Sequence, residues 1–224
     1  MHVNNQDPGG SLDPTTEAIV ESGVVAVLRA ASADYFLPIV EVLVDAGITA
    51  IEVTLTTPQA TLAIENIARR FASNVCVGAG SVITADDASR CIDAGAAFVV
   101  SPAFVPDVLE QCVGAGVPCY PAALTPTEFA TAARAGAALI KLFPASVFGP
   151  GYVRSLREPL PGLRIMPTGG IGPGDVGTWL RAGAETVGLG SSLTGDALNG
   201  GSLVELRRRA DEAVAQVAGV RERA

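Results

Sequence analysis

The sequence predicts an α/β fold, a single (β/α)8 barrel with an additional helix at its N-terminal end. Short apolar, β-branched runs recur at intervals of about 20 to 25 residues, and a helical pattern follows each run, which is typical of a parallel sheet. The dipeptide Ala-Gly repeatedly marks the return from helix to strand. Eight such units, and the absence of a G-x-G-x-x-G motif after the first strand, favour the barrel over an open doubly wound sheet.

The predicted elements alternate along the whole chain. The predicted strands cover residues 24–29, 50–55, 75–81, 98–101, 118–122, 139–143, 164–167 and 186–190. The predicted helices cover residues 14–22, 33–46, 58–71, 85–94, 106–115, 126–136, 149–158, 173–183 and 201–219.

Capping signals support the predicted helix ends. Signals for helix starts occur at Ser32, Thr57 with Pro58, Thr84, Thr125 with Glu128, and Pro173. Glycines that suit helix ends occur at Gly47, Gly95, Gly116, Gly136 and Gly183.

Composition excludes several classes of function. The formal net charge of −8 argues against a general nucleic-acid binder, which needs a basic face. The only histidine is His2, so serine–histidine and cysteine–histidine catalysis and histidine-rich metal sites are not expected. The four cysteines lack C-x-x-C spacing, and we predict buried or half-buried thiols rather than a disulfide framework.

Residues 1–13 form a polar segment that we predict to be a flexible leader, with the barrel domain in residues 14–224. The leader lacks the basic start and apolar stretch of a signal peptide. No apolar run reaches the roughly 18 residues of a membrane span. The sequence therefore predicts a cytoplasmic protein without a membrane partner.

Lys141 is the only lysine among 15 basic residues, and it lies inside an apolar run. The active sites of such barrels lie at the carboxyl ends of the strands. Glu52 and Thr54 share one face of the second predicted strand, and Lys141 shares a face with Leu139 and Phe143. Both ionisable side chains can therefore face the barrel interior.

Such a lysine and glutamate suit carbonyl chemistry. Burial among apolar groups disfavours the charged form of an amine, and a neutral amine is a nucleophile that forms a Schiff base with a carbonyl substrate. A glutamate on another strand could move protons. The alternative for Lys141 and Glu52 is a structural ion pair across the barrel.

Glycine-bearing segments follow the seventh and eighth predicted strands, at Gly169-Gly170 and Gly190-Ser191. Loops in this place often bind phosphate, because backbone N–H groups approach an anion closely where no Cβ intervenes. The alternative is a pair of ordinary tight turns.

We further predict that Arg207-Arg208-Arg209 lies on a solvated helix face or contacts a neighbouring subunit, and that Trp179 packs a helix.

The chain resembles the 2-keto-3-deoxy-6-phosphogluconate (KDPG) aldolase family, which includes 4-hydroxy-2-oxoglutarate aldolase activity. The matching motifs run in order across about residues 15–218 and are specific when taken together. They lie at residues 24–30 (VVAVLRA), 47–58 (GITAIEVTLTTP), 77–82 (VGAGSV), 98–102 (FVVSP), 124–128 (LTPTE), 139–144 (LIKLFP), 148–150 (FGP), 166–171 (MPTGGI) and 187–191 (VGLGS).

The resemblance implies a class I aldolase, usually a homotrimer, that needs no metal or other cofactor. Its substrate would be a phosphorylated keto-sugar acid, cleaved reversibly to pyruvate and glyceraldehyde 3-phosphate. By that resemblance Lys141 would form the Schiff base and Glu52 would be the general acid/base. The expected substrate-binding residues are Arg29, Thr54, Ser81, Pro102, Phe143 and Thr168, and the expected phosphate-binding residues are Gly169, Gly170, Gly190 and Ser191.

Three departures from the family pattern bear on the substrate. Thr56 stands where some members carry arginine, so more of the carboxylate binding would fall on Arg29. Ser81 replaces a usual threonine and keeps the hydroxyl, whereas Ala122 replaces a usual glycine and would narrow the pocket. The gluconate acid is the predicted substrate, with the galactonate epimer or 4-hydroxy-2-oxoglutarate as the alternatives.

Two other classes of function stay open at this point. A phosphosugar isomerase or epimerase would use the same phosphate site and would need Glu52 but not Lys141. A barrel without catalytic activity would bind a phosphorylated ligand and form no imine.

Overall fold

The computed structural model describes residues 12–223, and in this part of the chain eight parallel strands form one sheet. Neighbouring strands follow the order β7-β6-β5-β4-β3-β2-β1-β8. The sheet closes because a parallel bridge joins Thr168, just after β7, to Gly188 on β8. The predicted (β/α)8 barrel is confirmed. The predicted boundary of the leader at residue 13 stays a prediction, since residues 1–11 lie outside the described residues.

The strands and helices have the following bounds. The strands are β1 (Val24–Leu28), β2 (Ala50–Thr54), β3 (Cys76–Gly80), β4 (Phe98–Ser101), β5 (Cys119–Ala123), β6 (Ile140–Leu142), β7 (Ile165–Pro167) and β8 (Val187–Leu189). The helices are α1 (Pro14–Ser22), α2 (Phe36–Asp45), α3 (Ala60–Phe71), α4 (Ala85–Asp93), α5 (Pro106–Gly114), α6 (Pro126–Arg134), α7 (Gly151–Arg157), α8 (Val176–Arg181), α9 (Ser191–Thr194) and α10 (Leu203–Arg221). Short 3-10 turns cover Ala72–Asn74, Ala145–Val147, Pro173–Asp175 and Ala197–Asn199.

The predicted elements match these bounds with small differences. α1 and β4 have the predicted bounds, and most other strands are shorter than predicted by one or two residues. The sequence analysis missed α9, because its four residues are too few to show a helical period.

Two of the predicted helix starts are wrong. α2 begins at Phe36, and Ser32 instead accepts a hydrogen bond from the backbone N–H of Asp34 (3.2 Å). α3 begins at Ala60 rather than after Thr57, because Gln59 has a left-handed backbone with φ of 58°.

Thr84 is confirmed as a cap, as is the Thr125–Glu128 capping box, and Pro173 starts a 3-10 turn ahead of α8. The five glycines predicted at helix ends all have positive φ.

Two apolar layers fill the fold, one inside the barrel and one between strands and helices. Val25, Ala50, Leu139 and their neighbours pack inside, whereas side chains such as Ile51 and Ile140 pack outside against the helices. Because successive residues of a strand face opposite sides, Glu52 on β2 and Lys141 on β6 face the interior.

The α1 helix closes the barrel at the end where the strands begin. Ile19 packs against the interior cluster, and the Thr16 hydroxyl donates to Asp13 Oδ2 (2.6 Å). Thr16 Oγ1 therefore accepts the hydrogen bond that joins it to the Tyr120 hydroxyl (2.8 Å). Burial raises the pKa of Tyr120, so its hydroxyl keeps the proton that it donates.

The four cysteines are unpaired thiols, as the spacing predicts. Cys91, Cys112 and Cys119 are buried, and Cys76 is half-buried. Burial raises the pKa of Cys91 to about 11 and that of Cys76 to about 12. These two thiols therefore stay protonated and poorly nucleophilic at neutral pH.

The described residues contain neither a candidate membrane-spanning helix nor a candidate metal site. None of the helices in residues 12–223 is both long and apolar enough to cross a membrane. The same part of the chain contains no group of three or more His, Cys, Asp or Glu side chains that could hold a metal ion.

Tyr120→Phe tests the hydrogen bond that joins α1 to the barrel interior. The change removes the hydroxyl and leaves Thr16 Oγ1 buried without its donor, so the free energy of unfolding should fall by about 1–2 kcal/mol. Urea denaturation followed by circular dichroism measures it. The control Tyr35→Phe alters a tyrosine that is 46% exposed and should leave the midpoint unchanged. Equal midpoints for the two variants would contradict the role given to the Tyr120 hydroxyl.

Candidate active site

The two predicted catalytic side chains meet inside the barrel. Lys141 on β6 and Glu52 on β2 come from opposite sides of the closed sheet. Lys141 Nζ lies 3.8 Å from Glu52 Oε1, and the two side chains are only 7% and 1% exposed. The structure therefore places an amine and a carboxylate together in a buried site.

Strand β3 carries glycine at two interior positions, and the second of them makes room for the Glu52 carboxylate. Gly78 and Gly80 are the register partners of Glu52 and Thr54. A Cβ on Gly80 would overlap Glu52 Oε1, and a Cβ on Gly78 would lie 2.5 Å from the ring of Phe98. The position of the carboxylate thus depends on the absence of side chains on the neighbouring strand.

No described residue donates a hydrogen bond to either carboxylate oxygen of Glu52. The 3.8 Å separation from Lys141 Nζ is too long for a hydrogen bond. A buried carboxylate without donors is costly, and a buried ion pair stabilises a fold only with good geometry. The arrangement argues against a purely structural ion pair and suits a group that exchanges protons with a ligand.

Lys141 lies beside an aromatic ring and small side chains. Its Nζ is 5.2 Å from the ring centroid of Phe143, a side chain that is 40% exposed. A Cβ on Gly169 would lie 3.1 Å from Phe143 Cε2, which places the loop after β7 against this ring. Ala122, one of the departures from the family pattern, is the register partner of Lys141 and is buried.

Thr168 lies at the closure of the barrel, between β7 and β8. Its side chain is buried, and its hydroxyl donates to the Met166 carbonyl at 3.5 Å. A Cβ on Gly188 would overlap Thr168 Oγ1. Glycine at position 188 therefore permits the close approach of the two strands at this point.

The loops after β6, β7 and β8 are joined by hydrogen bonds. The backbone N–H of Ser146 donates to the Gly169 carbonyl (3.1 Å), and the Ser192 hydroxyl donates to the Ile171 carbonyl (2.5 Å). Gly169 and Gly170 have φ of 95° and 74°, a conformation that favours glycine. The two predicted glycine segments therefore belong to one connected group of loops.

The loop after β8 is open at the positions predicted to bind phosphate. A Cβ on Gly190 would meet nothing within 4 Å, and Ser191 is exposed. A Cβ on Gly170 would lie 2.5 Å from Ser146 Cβ. The loop after β7 is thus crowded, whereas the loop after β8 leaves space beside its backbone.

Three threonines organise the ends of β1 and β2. The Thr54 hydroxyl, inside the barrel, lies 3.1 Å from that of Thr56 and donates to the Leu28 carbonyl (3.2 Å). The buried Thr57 hydroxyl accepts from the backbone N–H of Ala30 (3.2 Å) and so holds the turn that carries Arg29. Sequence analysis treated Thr57 only as a helix cap, although its place before Pro58 marks it equally as a turn residue.

The remaining predicted residues share only a location with the buried pair. Arg29, Ser81 and Pro102 follow β1, β3 and β4 at the same end of the barrel, with Arg29 exposed and the other two half-buried. Within the described residues, no hydrogen bond or ion pair joins any of the three to Lys141 or Glu52.

The loop after β5 has its own capping arrangement. The backbone N–H groups of Leu124 and Thr125 donate to Glu128 Oε2 and hold the pKa of that carboxyl below its usual range. The Tyr152 hydroxyl donates to the Leu124 carbonyl (2.8 Å) and ties α7 to this loop. Glu128 therefore stays a charged cap at neutral pH.

The site has the groups that carbonyl chemistry requires. A buried amine can add to a carbonyl, and a carboxylate within reach can take and return protons. Fold and site together define a (β/α)8 barrel with a lysine and a glutamate on the interior face of its strands.

Comparison with known proteins identifies the family. The model of the KDPG and KHG aldolases matches residues 16–207. The chain therefore belongs to this aldolase family, and the protein is a lyase.

Relatives and solved structures agree with this assignment. The chain is 34% identical over 200 residues to the 2-dehydro-3-deoxy-6-phosphogalactonate aldolase of Escherichia coli (strain K12), covering 89% of this chain and 95% of the relative. A native KDPGal structure has a TM-score of 0.83 at 30% identity, covering 89% of this chain and 96% of that one. KDPG aldolase from Legionella pneumophila, solved with pyruvate captured as a covalent carbinolamine, has a TM-score of 0.81 at 26% identity, covering 90% and 98%.

Gly80→Ala tests the dependence of Glu52 on strand β3. The added methyl group would displace the carboxylate, so kcat for aldol cleavage should fall by about a hundredfold while the protein stays folded. Steady-state kinetics and circular dichroism measure the two effects. The control Gly114→Ala adds a methyl group that meets nothing within 4 Å, and it should change neither kcat nor the circular dichroism spectrum. Unchanged kcat in Gly80→Ala would show that Glu52 can move without consequence.

Proposed function

We propose that this aldolase cleaves a 2-keto-3-deoxy-6-phospho sugar acid reversibly into pyruvate and glyceraldehyde 3-phosphate through a Schiff base on Lys141. The observation that carries the proposal is the buried pair of Lys141 Nζ and Glu52 Oε1, 3.8 Å apart, in which Glu52 accepts no hydrogen bond from a described residue. An amine and a proton-transfer group at this distance can act on adjacent atoms of one substrate.

The first step forms the covalent bond. The neutral Lys141 amine attacks the C2 carbonyl of the keto acid, and the resulting carbinolamine loses water to give an iminium. The iminium withdraws electrons from the bond between C3 and C4. The Lys141 side chain is only 7% exposed, so the amine would meet the substrate inside the barrel.

The second step breaks the carbon–carbon bond. Glu52 takes the proton of the C4 hydroxyl, the C3–C4 electron pair moves to the iminium, and the C4 fragment leaves as an aldehyde. The remaining enamine is protonated at C3, and water hydrolyses the iminium to pyruvate and free Lys141. Glu52 suits both proton transfers because its oxygens are committed to no other described donor.

Separate groups at the barrel mouth would hold the two ends of the substrate. Backbone groups at Gly169, Gly170, Gly190 and Ser191 would hold the phosphate, supported by the open backbone at Gly190 and by the ties between these loops. The exposed Arg29 guanidinium, which has no ion-pair partner in the described chain, would bind the carboxylate. Thr54, Ser81, Pro102, Phe143 and Thr168 would line the space between these ends.

The configuration at C4 distinguishes the two leading substrates. We take the gluconate acid as the substrate. The galactonate epimer is the second candidate, because the Escherichia coli relative named for it is 34% identical and is matched over 95% of its length. 4-Hydroxy-2-oxoglutarate, which has no phosphate, would leave the glycine loops unused. The homotrimer and the cytoplasmic location implied by the family resemblance stay predictions.

Borohydride trapping tests the Schiff base. Incubation with pyruvate and borohydride should add one reduced pyruvyl group, and peptide mapping by mass spectrometry should place it on Lys141. Lys141→Met keeps a side chain of similar length without the amine and should gain no adduct while remaining folded by circular dichroism. A folded wild-type protein without an adduct would overturn the proposed mechanism and favour the isomerase alternative, which does not need the lysine.

Parallel kinetics on the two epimers test the substrate. With pyruvate release as the measurement, kcat/KM should be higher for the gluconate acid than for the galactonate acid, and higher for both than for 4-hydroxy-2-oxoglutarate, because only the phosphorylated acids engage the glycine loops. A higher value for the galactonate acid would reassign the substrate. A higher value for the acid without phosphate would contradict the phosphate site itself.

A further inference from the structure

We infer that Arg209, on α10, is a positioning residue for the phosphate-binding loop after β8. The inference rests on the proposed phosphate site and names a residue outside it that sets its geometry. Sequence analysis assigned all three arginines of the run 207–209 to a solvated face or a subunit contact. The structure separates them, because Arg209 is half-buried whereas Arg207 and Arg208 are exposed.

The exposed neighbours of Arg209 have partners on their own helix. Arg207 pairs with Asp211 (2.7 Å), and Arg208 pairs with Glu205 (3.0 Å) and Glu212 (3.4 Å). Exposed pairs at this spacing contribute little to stability. Arg207 and Arg208 therefore serve as matched controls for Arg209, with the same side chain on the same helix and, among the described residues, no hydrogen bond to the loop.

Arg209 instead binds the end of α9. Its Nε donates to the Leu193 carbonyl (2.6 Å), and its Nη2 donates to the Thr194 carbonyl (3.0 Å). The last carbonyls of a helix lack partners within the helix, and a guanidinium can satisfy two of them in one geometry. Arg209 forms no ion pair in the described part of the chain, so its bonds to protein are directed at α9.

Gly195 permits this approach. It follows α9 with φ of 55°, and a Cβ at this position would lie 2.5 Å from Arg209 Nη2. The glycine therefore serves two purposes, since it ends α9 with a positive φ that favours glycine and leaves space for the guanidinium. The sequence signal for this arrangement is a glycine just after a short polar segment, which is too common to reveal it.

The two ends of α9 have separate anchors. At the first turn, the Ser192 hydroxyl donates to the Ile171 carbonyl in the loop after β7 (2.5 Å). At the last turn, Arg209 binds the carbonyls. Gly190 and Ser191 lie at the start of this four-residue helix, so a shift of α9 moves them directly. Arg209 thus fixes the loop after β8 to the outer helix layer, and Ser192 fixes the same loop to the loop after β7.

Arg209→Met tests the inference on the full-length enzyme. KM for the phosphorylated keto acid should rise about tenfold, because the loop no longer holds its position, while kcat/KM for 4-hydroxy-2-oxoglutarate and the trapped pyruvate adduct on Lys141 stay at wild-type values. Arg209→Lys keeps one donor and should recover part of the loss. Arg207→Met and Arg208→Met should match the wild type on both substrates.

The outcomes separate the positioning role from the phosphate site. If wild-type protein prefers the phosphorylated acid and Arg209→Met keeps that preference, the inference is wrong and the phosphate site stands. If the wild-type enzyme does not prefer the phosphorylated acid, the proposed phosphate site is wrong, and the inference about Arg209 fails with it. Equal losses on both substrates would show a merely structural role. Should Arg209→Met fail to fold, Ser192→Ala releases the other anchor of α9 and must lower the phosphate preference for the inference to stand.

Discussion

The buried pair of Lys141 and Glu52 is the constraint on which the rest of the structure depends. A carboxylate and an amine in an apolar barrel cost free energy, and no described residue offsets that cost with a hydrogen bond to Glu52. The barrel accommodates the carboxylate because position 80 of the adjacent strand is glycine. The missing side chain on β3 therefore makes room for a carboxylate that no described donor restrains.

Stability and chemistry are concentrated at opposite ends of the barrel. At the end where the strands begin, α1 closes the interior and Tyr120, Thr16 and Asp13 form a chain of satisfied hydrogen bonds. At the other end the loops carry glycines, exposed hydroxyls and an exposed arginine. The loops after β6, β7 and β8 are held by hydrogen bonds to one another and by buried apolar side chains such as Ala145, Ile171 and Leu193, and Arg209 joins α9 to the outer helices.

Sequence analysis predicted the barrel well because its signals are periodic and repeated. All eight strands were located, and strand alternation placed Glu52 and Lys141 on faces that the structure shows to be interior. Local turn geometry was harder to predict. Because Gln59 has a left-handed backbone, α3 begins at Ala60 instead of next to Thr57. The Thr57 hydroxyl does not cap α3 but accepts a hydrogen bond from the turn after β1. Arg207 pairs with Asp211 on its own helix, whereas the contact of Arg209 with α9 arises from tertiary packing that a run of three arginines does not reveal.

Lys141 is the only lysine of the chain, and its side chain is 7% exposed. Surface chemistry directed at lysine amines therefore has no solvent-facing target among residues 12–223 of the folded protein. Within this range, an amine-directed reagent would have to enter the barrel interior to reach its target.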